Sequence, residues 1–316
     1  MAMNRIQFQR GLSMTEFLER YGTEEQCVAA LEQARWPKGF VCPRCQGTSC
    51  SRIETRTHPL YQCSACRHQT SLIAGTVMQA TKLPLTQWLL AIYLIGQAKS
   101  GISALALGRY LGVSYPTAWL LHHKLMAAMA EREARYTLSG DIQVDDAYLG
   151  GELPGGKAGR GSENKAAFVA AISLEQGRPR YAKLTPVATF SLKEIGQWAG
   201  AHLAGGSTVF SDGLACFGAV TEAGCTHQPT VVGGRKPREL PQFKWINTTL
   251  GNLKMALSGS FHAFNFKKYA SGYLAEFTYR FNRRFDLRTL PARLLVAAAG
   301  CGPRPERVIR MAEDAC

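Results

Sequence analysis

Two aspartates carry the first chemical signal in this chain. Asp145 falls at the end of the run Asp141-Ile-Gln-Val-Asp145-Asp146, and Asp212 ends Thr208-Val-Phe-Ser-Asp212. An apolar, strand-like run that stops on a carboxylate can hold a metal ligand at the tip of a sheet. Asp146 is a rival for Asp145, but side chains alternate along a strand, so the two adjacent aspartates are expected on opposite faces. Asn247 and Lys254 lie seven residues apart on a segment with helical character. That is about two helical turns, which puts both on one face. With the two candidate DNA-reading modules that precede it in the chain, a metal site here suggests an enzyme that cuts and joins DNA.

Upstream, Cys42-Pro-Arg-Cys45 and Cys63-Ser-Ala-Cys66 form two C-x-x-C knuckles separated by seventeen residues. Zinc takes four thiolates tetrahedrally, and each knuckle offers two from one tight turn. Four protein ligands leave no open position, so Cys42, Cys45, Cys63 and Cys66 are expected to hold a structural Zn²⁺. Cys50, His58 and His68 are nearby but surplus to that set. The remaining cysteines (Cys27, Cys216, Cys225, Cys301 and Cys316) are scattered and read as free thiols.

Between the knuckles and the first aspartate, Ile102–Leu111 and Tyr115–Lys124 read as two helices around Gly112-Val113-Ser114. Gly112 suits the turn, Ser114 the cap, and Pro116 the first turn of the second helix. Leu105, Leu111, Val113, Ala118 and Leu121 would form a small core. As the second unit of a helix-turn-helix, the later helix would present Tyr115, Thr117, His122 and Lys124 to DNA. An ordinary helical hairpin is the alternative.

The elements that must position these groups follow from patterning. Helices are expected over 13–35, with a capping box at Thr23-Glu24-Glu25-Gln26, and over 84–98. From Gly140 the pattern changes to strands at 141–149, 166–174 and 179–186, a helix at 191–204 and a strand at 207–212. A helix near 213–223, a strand at 229–232 and a helix at 245–257 follow, with further helices to the end. The whole reads as a mixed α/β sheet domain behind smaller modules. The boundaries are N-terminal helices 1–36, a zinc ribbon 37–73, a helix-turn-helix region 80–135, an α/β domain 140–290 and a C-terminal tail 291–316.

The chain's 316 residues allow two or three domains, and its 37 Lys plus Arg against 23 Asp plus Glu give a net charge of +14. That excess favours a polyanionic partner. The basic residues gather in three places: Lys157, Arg160 and Lys165; Arg235, Lys236 and Arg238; and Arg280, Arg283, Arg284 and Arg288. No apolar run reaches the roughly 18 residues of a membrane span, and the first residues show no apolar signal core. A cytoplasmic protein without membrane contact is therefore expected.

Several motifs resemble one family in the same order. They are Trp36-Pro-Lys-Gly-Phe-Val-Cys-Pro-Arg-Cys45, Gly75-Thr76, Trp88-Leu-Leu-Ala-Ile-Tyr93, Val144-Asp-Asp-Ala-Tyr-Leu-Gly-Gly151, Gly259-Ser-Phe-His262 and Glu276-Phe-Thr-Tyr-Arg-Phe-Asn-Arg-Arg284. Together they resemble the ISXO2-like insertion-sequence transposases from about residue 15 to 288. The resemblance implies an RNase H-like catalytic domain with a DDE-type site. On this sequence it makes Asp145 and Asp212 the two carboxylates, Asn247 the residue at the position where the wider superfamily has Glu, and Lys254 the basic residue after it. Paired Mg²⁺ or Mn²⁺ ions at such a site activate a nucleophile and stabilise the leaving oxygen at phosphorus. An Asn carbonyl can ligate without adding charge. His227 and His262 could approach the site or serve only the fold.

The implied activity is binding the terminal inverted repeats of an insertion sequence, then metal-dependent strand cleavage and transfer. The implied partner is double-stranded DNA, at element ends and target, with a homodimer or larger assembly pairing the ends. A DNA-binding regulator without activity, or a metal-dependent nuclease without strand transfer, is the alternative.

Overall fold

The structure is a computed structural model that describes residues 9–54, 58–151, 162, 164–236, 239–261 and 264–311. Lys157, Arg160, Arg238, His262 and Cys316, singled out above, lie outside the described residues. The chain divides into two compact units, one of residues 1–131 with 283–311, the other of 132–282 with 312–316. Among the described residues no helix is long and apolar enough to cross a membrane.

The first unit opens with α1 (Met14–Tyr21) and α2 (Glu24–Arg35), each begun by a reciprocal capping box, Ser13 with Glu16 and Thr23 with Gln26. Both boxes satisfy N–H groups that a helix start otherwise leaves without partners. A three-stranded antiparallel ribbon follows, β1 (Cys50–Ile53), β2 (Leu60–Cys63) and β3 (Gln69–Ser71). The Arg35 guanidinium donates to the carbonyls of Ser71 (2.8 Å) and Ala74 (2.5 Å), fastening α2 to the end of the ribbon. Helix α3 (Leu85–Gln97) is apolar nearly all round and correspondingly buried, from Leu85 through Trp88 and Ile92 to Ile95. Its Pro84 cap carries no side-chain acceptor. Glu24 of α2 supplies one instead, accepting from the Leu85 and Thr86 N–H groups at 2.8 and 3.0 Å.

Helices α4 (Ala104–Leu111) and α5 (Tyr115–Glu133) are joined by the expected tight turn, with Gly112 left-handed at φ +66°. A Cβ on Gly108 would come within 3.1 Å of the Val113 carbonyl and 3.3 Å of the Ala118 side chain, so the glycine permits the close approach of the two helices. Leu105, expected in the small core, is exposed instead; Leu107, Leu111, Ala118 and Leu121 make it. The last segment corrects a second expectation. Residues 291–311 are not a tail: α9 (Leu290–Gly300) packs on α2 and α3, with Leu290, Leu294, Leu295 and Ala298 buried. Gln97 donates to the Leu287 carbonyl at 2.9 Å, and the short α10 (Glu306–Arg310) lays Arg310 over the Trp119 ring.

The second unit is built on a five-stranded mixed sheet in the order β6-β5-β4-β7-β8. Its strands are β4 (Asp141–Leu149), β5 (Ala166–Glu175), β6 (Arg178–Pro186), β7 (Thr208–Ser211) and β8 (Thr226–Pro229). The first three pair antiparallel and β4, β7 and β8 run parallel, with α6 (Leu192–His202) linking β6 to β7. Counted within the unit the order is three-two-one-four-five, the RNase H-like arrangement. Apolar residues cover both faces. Val144, Val169 and Ala171 pack with Ile195 and Trp198 of α6 on one side. Phe168, Ala170 and Ile172 pack with Ile246, Leu253 and Leu274 on the other, from α7 (Lys244–Ser260) and α8 (Phe266–Asn282). Burial on both faces explains why β5 reads as a continuous apolar run. The final strand lies at 226–229 rather than 229–232. Val231, whose apolar character suggested the later position, is 74% exposed in the loop beyond Pro229.

Candidate metal centres

Strand alternation determines what each side chain near Asp145 can meet. Ile142 and Val144 face the α6 layer, and Leu149 faces the α7 layer. Odd-numbered residues of β4 therefore point toward α7, and Asp145 shares that side with Gln143. Asp145 stands opposite Ala170, and Asp146 opposite Val169; each partner belongs to the core of its own face. On β7, Phe210 packs toward the α7 layer and Val209 toward the α6 layer. Asp212, two residues beyond Phe210, follows the α7 side. The Leu214 N–H donates to Asp212 Oδ1 at 3.0 Å, with Gly213 at φ +87°, so the chain turns away sharply and fixes this carboxylate.

The three carboxylates converge. Asp145, Asp146 and Asp212 each place an oxygen within 4.8 Å of the others. This corrects the expectation that alternation removes Asp146 from the site. The pairing of β4 with β7 ends at Gln143 and Phe210, so at 145 and 146 that flank of β4 carries no neighbouring strand among the described residues. A side chain from either face can then swing round to the open edge where Asp212 lies. Hard divalent ions take oxygen ligands grouped in this way. His227 Nε2 lies 2.9 Å from Ser211 Oγ, beside Asp212, and burial holds its pKa below the ordinary value. It supports the β7 end rather than joining the carboxylates.

Helix α7 begins at Lys244, so Asn247 occupies its fourth position and is no cap; the cap is Phe243, which offers no side-chain acceptor. Asn247 and Lys254 are both exposed on α7. Their spacing gives them one face, as expected. The residue before Asn247 is tied to the strand of Asp145: the Ile246 N–H donates to Gln143 Oε1 at 2.9 Å. Sequence reasoning missed Gln143. Its signal was a polar residue at a buried position inside Ile-Gln-Val.

The four knuckle thiols also converge, all within 4.8 Å, with Cys42 Sγ to Cys66 Sγ and Cys45 Sγ to Cys63 Sγ both 3.6 Å. Four sulfurs about 2.3 Å from one tetrahedral ion would be about 3.8 Å apart, so the donor set fits zinc. The knuckles repeat each other. Gln46 N–H donates to the Cys42 carbonyl and Arg67 N–H to the Cys63 carbonyl, both at 3.0 Å, and Gln46 and Arg67 are left-handed at φ +62° and +57°. N–H groups of Cys66 and Ala65 hold the Cys63 thiol below its ordinary pKa. Burial opposes the Cys42 thiolate, but the N–H groups of Cys45 and Arg44 outweigh it and bring that thiol to about 7. Both effects favour the thiolate a metal needs. At Cys45 the Gly47 N–H acts the same way, but the neighbouring thiols outweigh it and push that thiol up to about 12 in the absence of an ion to share. Cys50, His58 and His68 stay outside the cluster.

The basic and helix-turn-helix residues divide. Tyr115 is exposed and Thr117 half-buried at the start of α5, where Ser114 and Thr117 hydroxyls lie 2.9 Å apart. His122 and Lys124 are buried, contrary to expectation, and Lys124 Nζ lies 5.9 Å from the centre of the Trp88 ring. The first turn of α5 projects, while from Leu121 to Met126 the helix is enclosed. Arg235 and Lys236 are exposed in the loop before α7, where the Arg235 guanidinium bonds the Val231 and Val232 carbonyls. The C-terminal arginines are largely engaged within the protein. Arg280 pairs with Glu276 (3.4 Å), Arg288 with Glu16 (2.6 Å), and Arg284 is buried beside Phe285.

Residues 22–69 match the family model of the transposase zinc-ribbon domain, and residues 137–282 that of the ISXO2-like transposase domain. The chain thus combines a segment similar to the transposase zinc ribbon with one similar to the ISXO2-like transposase domain. The two matched segments contain all four knuckle cysteines, the three aspartates, Asn247 and Lys254. A curated relative from Halobacterium salinarum, described as an uncharacterized protein in transposable element ISH50, is 27% identical over 139 residues. That match covers 44% of this chain and 46% of the relative, so the chain spans about half the length of the relative it matches. Among solved structures, a pre-cleavage Mos1 transpososome shows 13% identity over 65% of this chain and 75% of its own, with a TM-score of 0.26. A likeness that low carries no weight beside the sheet order and the family matches.

Proposed function

We propose that this chain binds the terminal inverted repeats of an insertion sequence and performs metal-dependent DNA strand cleavage and transfer. The observation that carries the reading is the meeting of Asp145, Asp146 and Asp212 at the open edge of β4, with oxygens within 4.8 Å. Asp145 and Asp212 hold Mg²⁺ or Mn²⁺ from the α7 side of the sheet, and the Asn247 carbonyl completes the set. When bound, divalent ions would activate a water or 3′-hydroxyl and stabilise the leaving oxygen at phosphorus. Asp146 adds negative charge and a third carboxylate at the same edge. Lys254, two turns along α7 from Asn247, meets a phosphate of the bound strand.

In the ribbon, Cys42, Cys45, Cys63 and Cys66 hold Zn²⁺ in a closed, structural site. Tyr115 and Thr117 at the start of α5 face DNA, and Arg235 and Lys236 add phosphate contacts before the catalytic helix. Two element ends must meet for transfer, so the working form is a homodimer or larger assembly on cytoplasmic DNA.

The test is one assay with duplexes taken from the DNA flanking the coding sequence, a free 3′-hydroxyl and Mg²⁺. Joined product is the expected result. Cleavage without joining makes the protein a nuclease, and binding alone makes it a regulator.

A further inference from the structure

Helix α7 carries Asn247 and Lys254, yet its own sequence does not cap it. Phe243 precedes it without a side-chain acceptor, and the first turn, Lys244-Trp245-Ile246, contains no Ser, Thr, Asp or Asn. The first four N–H groups of any helix lack partners within it. The Lys244 N–H bonds the Pro241 carbonyl in the turn before the helix, and the Ile246 N–H is satisfied from β4: Gln143 Oε1 accepts from it at 2.9 Å. Gln143 is 2% exposed and lies on β4, two residues before Asp145 and on the same face. Its backbone is held on both sides, opposite Ile172 on β5 and Phe210 on β7. It is the last β4 residue with a β7 neighbour, immediately before the edge opens for the aspartates.

We propose that Gln143 is a positioning residue: it caps α7 across the domain and sets Asn247 at a fixed distance from Asp145. One hydrogen bond connects the residue before Asn247 to the strand of the first carboxylate. No water replaces a partner at so buried a position, so losing the acceptor strands the Ile246 N–H. The helix start then shifts, and the residue it places is Asn247. The same device operates in the other unit, where Glu24 caps α3 from α2. In α3 it joins two helices; in α7 it lies one residue from a proposed ligand. The inference rests on the metal-site reading above.

The test uses the full chain with its zinc. Mn²⁺ binding is followed by electron paramagnetic resonance, and amide exchange is measured over the first turn of α7. Gln143→Leu removes the acceptor at similar size, Gln143→Asn keeps an amide too short to reach, and Gln143→Glu keeps the acceptor and its reach. Leu and Asn variants are expected to weaken Mn²⁺ binding by roughly tenfold, the low end of what loss of an outer partner costs a metal site. They should also speed exchange at Ile246 and Asn247, while Gln143→Glu restores slow exchange. Wild-type Mn²⁺ affinity in Gln143→Asn overturns the proposal. So does global unfolding of both Leu and Asn variants, since the bond would then hold the whole domain. Asp145→Ala in the same titration separates the two readings: if it leaves Mn²⁺ binding unchanged, the metal site itself has failed, whatever Gln143 does.

Discussion

Asp146 brings a carboxylate oxygen within 4.8 Å of one on Asp212, although β4 aims Asp146 toward α6 and Asp145 toward α7. The two neighbours therefore reach one edge from opposite faces, and their substitutions should differ in degree. Asp145→Ala and Asp212→Ala should abolish cleavage with DNA binding retained, because each removes a ligand from the face that meets α7. Asp146→Asn, which keeps shape but removes charge, should slow cleavage by about 10–100-fold, as loss of an outer partner does. Cleavage rates over a Mn²⁺ titration check this. A wild-type rate in Asp146→Asn returns that residue to the background.

Asn247 lies inside α7, so its substitution disturbs no helix cap. Loss of an N-cap costs about 0.5–2 kcal/mol, but Asn247 is the fourth residue of α7 and caps nothing. Asn247→Ala should therefore leave the melting temperature nearly unchanged and raise the Mn²⁺ concentration for half-maximal cleavage. Asn247→Asp should lower that concentration or keep partial activity. A variant that melts earlier with unchanged metal dependence would make the side chain structural.

Most elements were legible in the sequence because local signals agreed with the fold. The capping box at Thr23, the Gly112 turn, the alternation of β4 and the twin C-x-x-C knuckles each need only neighbouring residues to be read. What escaped depends on distant partners. The burial of Lys124 involves the Trp88 ring of α3, which the α5 pattern does not reveal. The convergence of Asp146 depends on where β7 stops beside β4, which no spacing within β4 reveals. Arg288 looked like part of a basic patch until α1 supplied Glu16. Alternation named the face of Asp146 correctly and said nothing about its reach.

Lys124 and Lys254 should separate structure from DNA contact. Lys124 is buried, and burial holds its pKa below the ordinary value. Lys124→Met keeps the apolar stem and should leave DNA affinity and its salt dependence unchanged. Exposed Lys254 is different. Lys254→Ala should weaken binding at all sequences and reduce the salt slope by about 1, the effect of one lost phosphate contact. Fluorescence anisotropy across a salt series measures both. An equal change in the two variants would return the buried lysine to the interface.

In the ribbon, Gln46 and Arg67 each take the left-handed conformation after the second cysteine of a knuckle. That conformation costs a residue with a Cβ roughly 1–2 kcal/mol, and glycine almost nothing, though glycine loses about 0.5–1 kcal/mol in chain entropy. Gln46→Gly should therefore be neutral or stabilise the zinc-loaded ribbon by up to about 1 kcal/mol. Cys45→Ser should do the reverse, lowering zinc content and unfolding the ribbon because metal binding and folding are coupled. Elemental analysis and thermal melting decide. Full zinc content in Cys45→Ser would remove it from the ligand set.

His202 gives the second unit a pH dependence of known sign. It ends α6 with its ring 5.8 Å from that of Trp198, and its Nδ1 finds no hydrogen-bond partner among the described residues. Burial, with the Lys183 ammonium nearby, pushes its pKa down from 6.5 to about 4. The unfolded chain thus takes up this proton near pH 6.5, and the folded chain only near 4. Between those values the unfolded state binds more protons, so stability falls as the pH falls. The contribution is complete above 6.5, is lost through the window and levels off below about 4. His227 is shifted the same way by burial, so removing one histidine should reduce the slope without abolishing it. His202→Gln should lose less melting temperature than wild type between pH 7 and pH 5. Equal losses in the two proteins would show that His202 is protonated in the folded chain across this range and that its burial is not felt as charge.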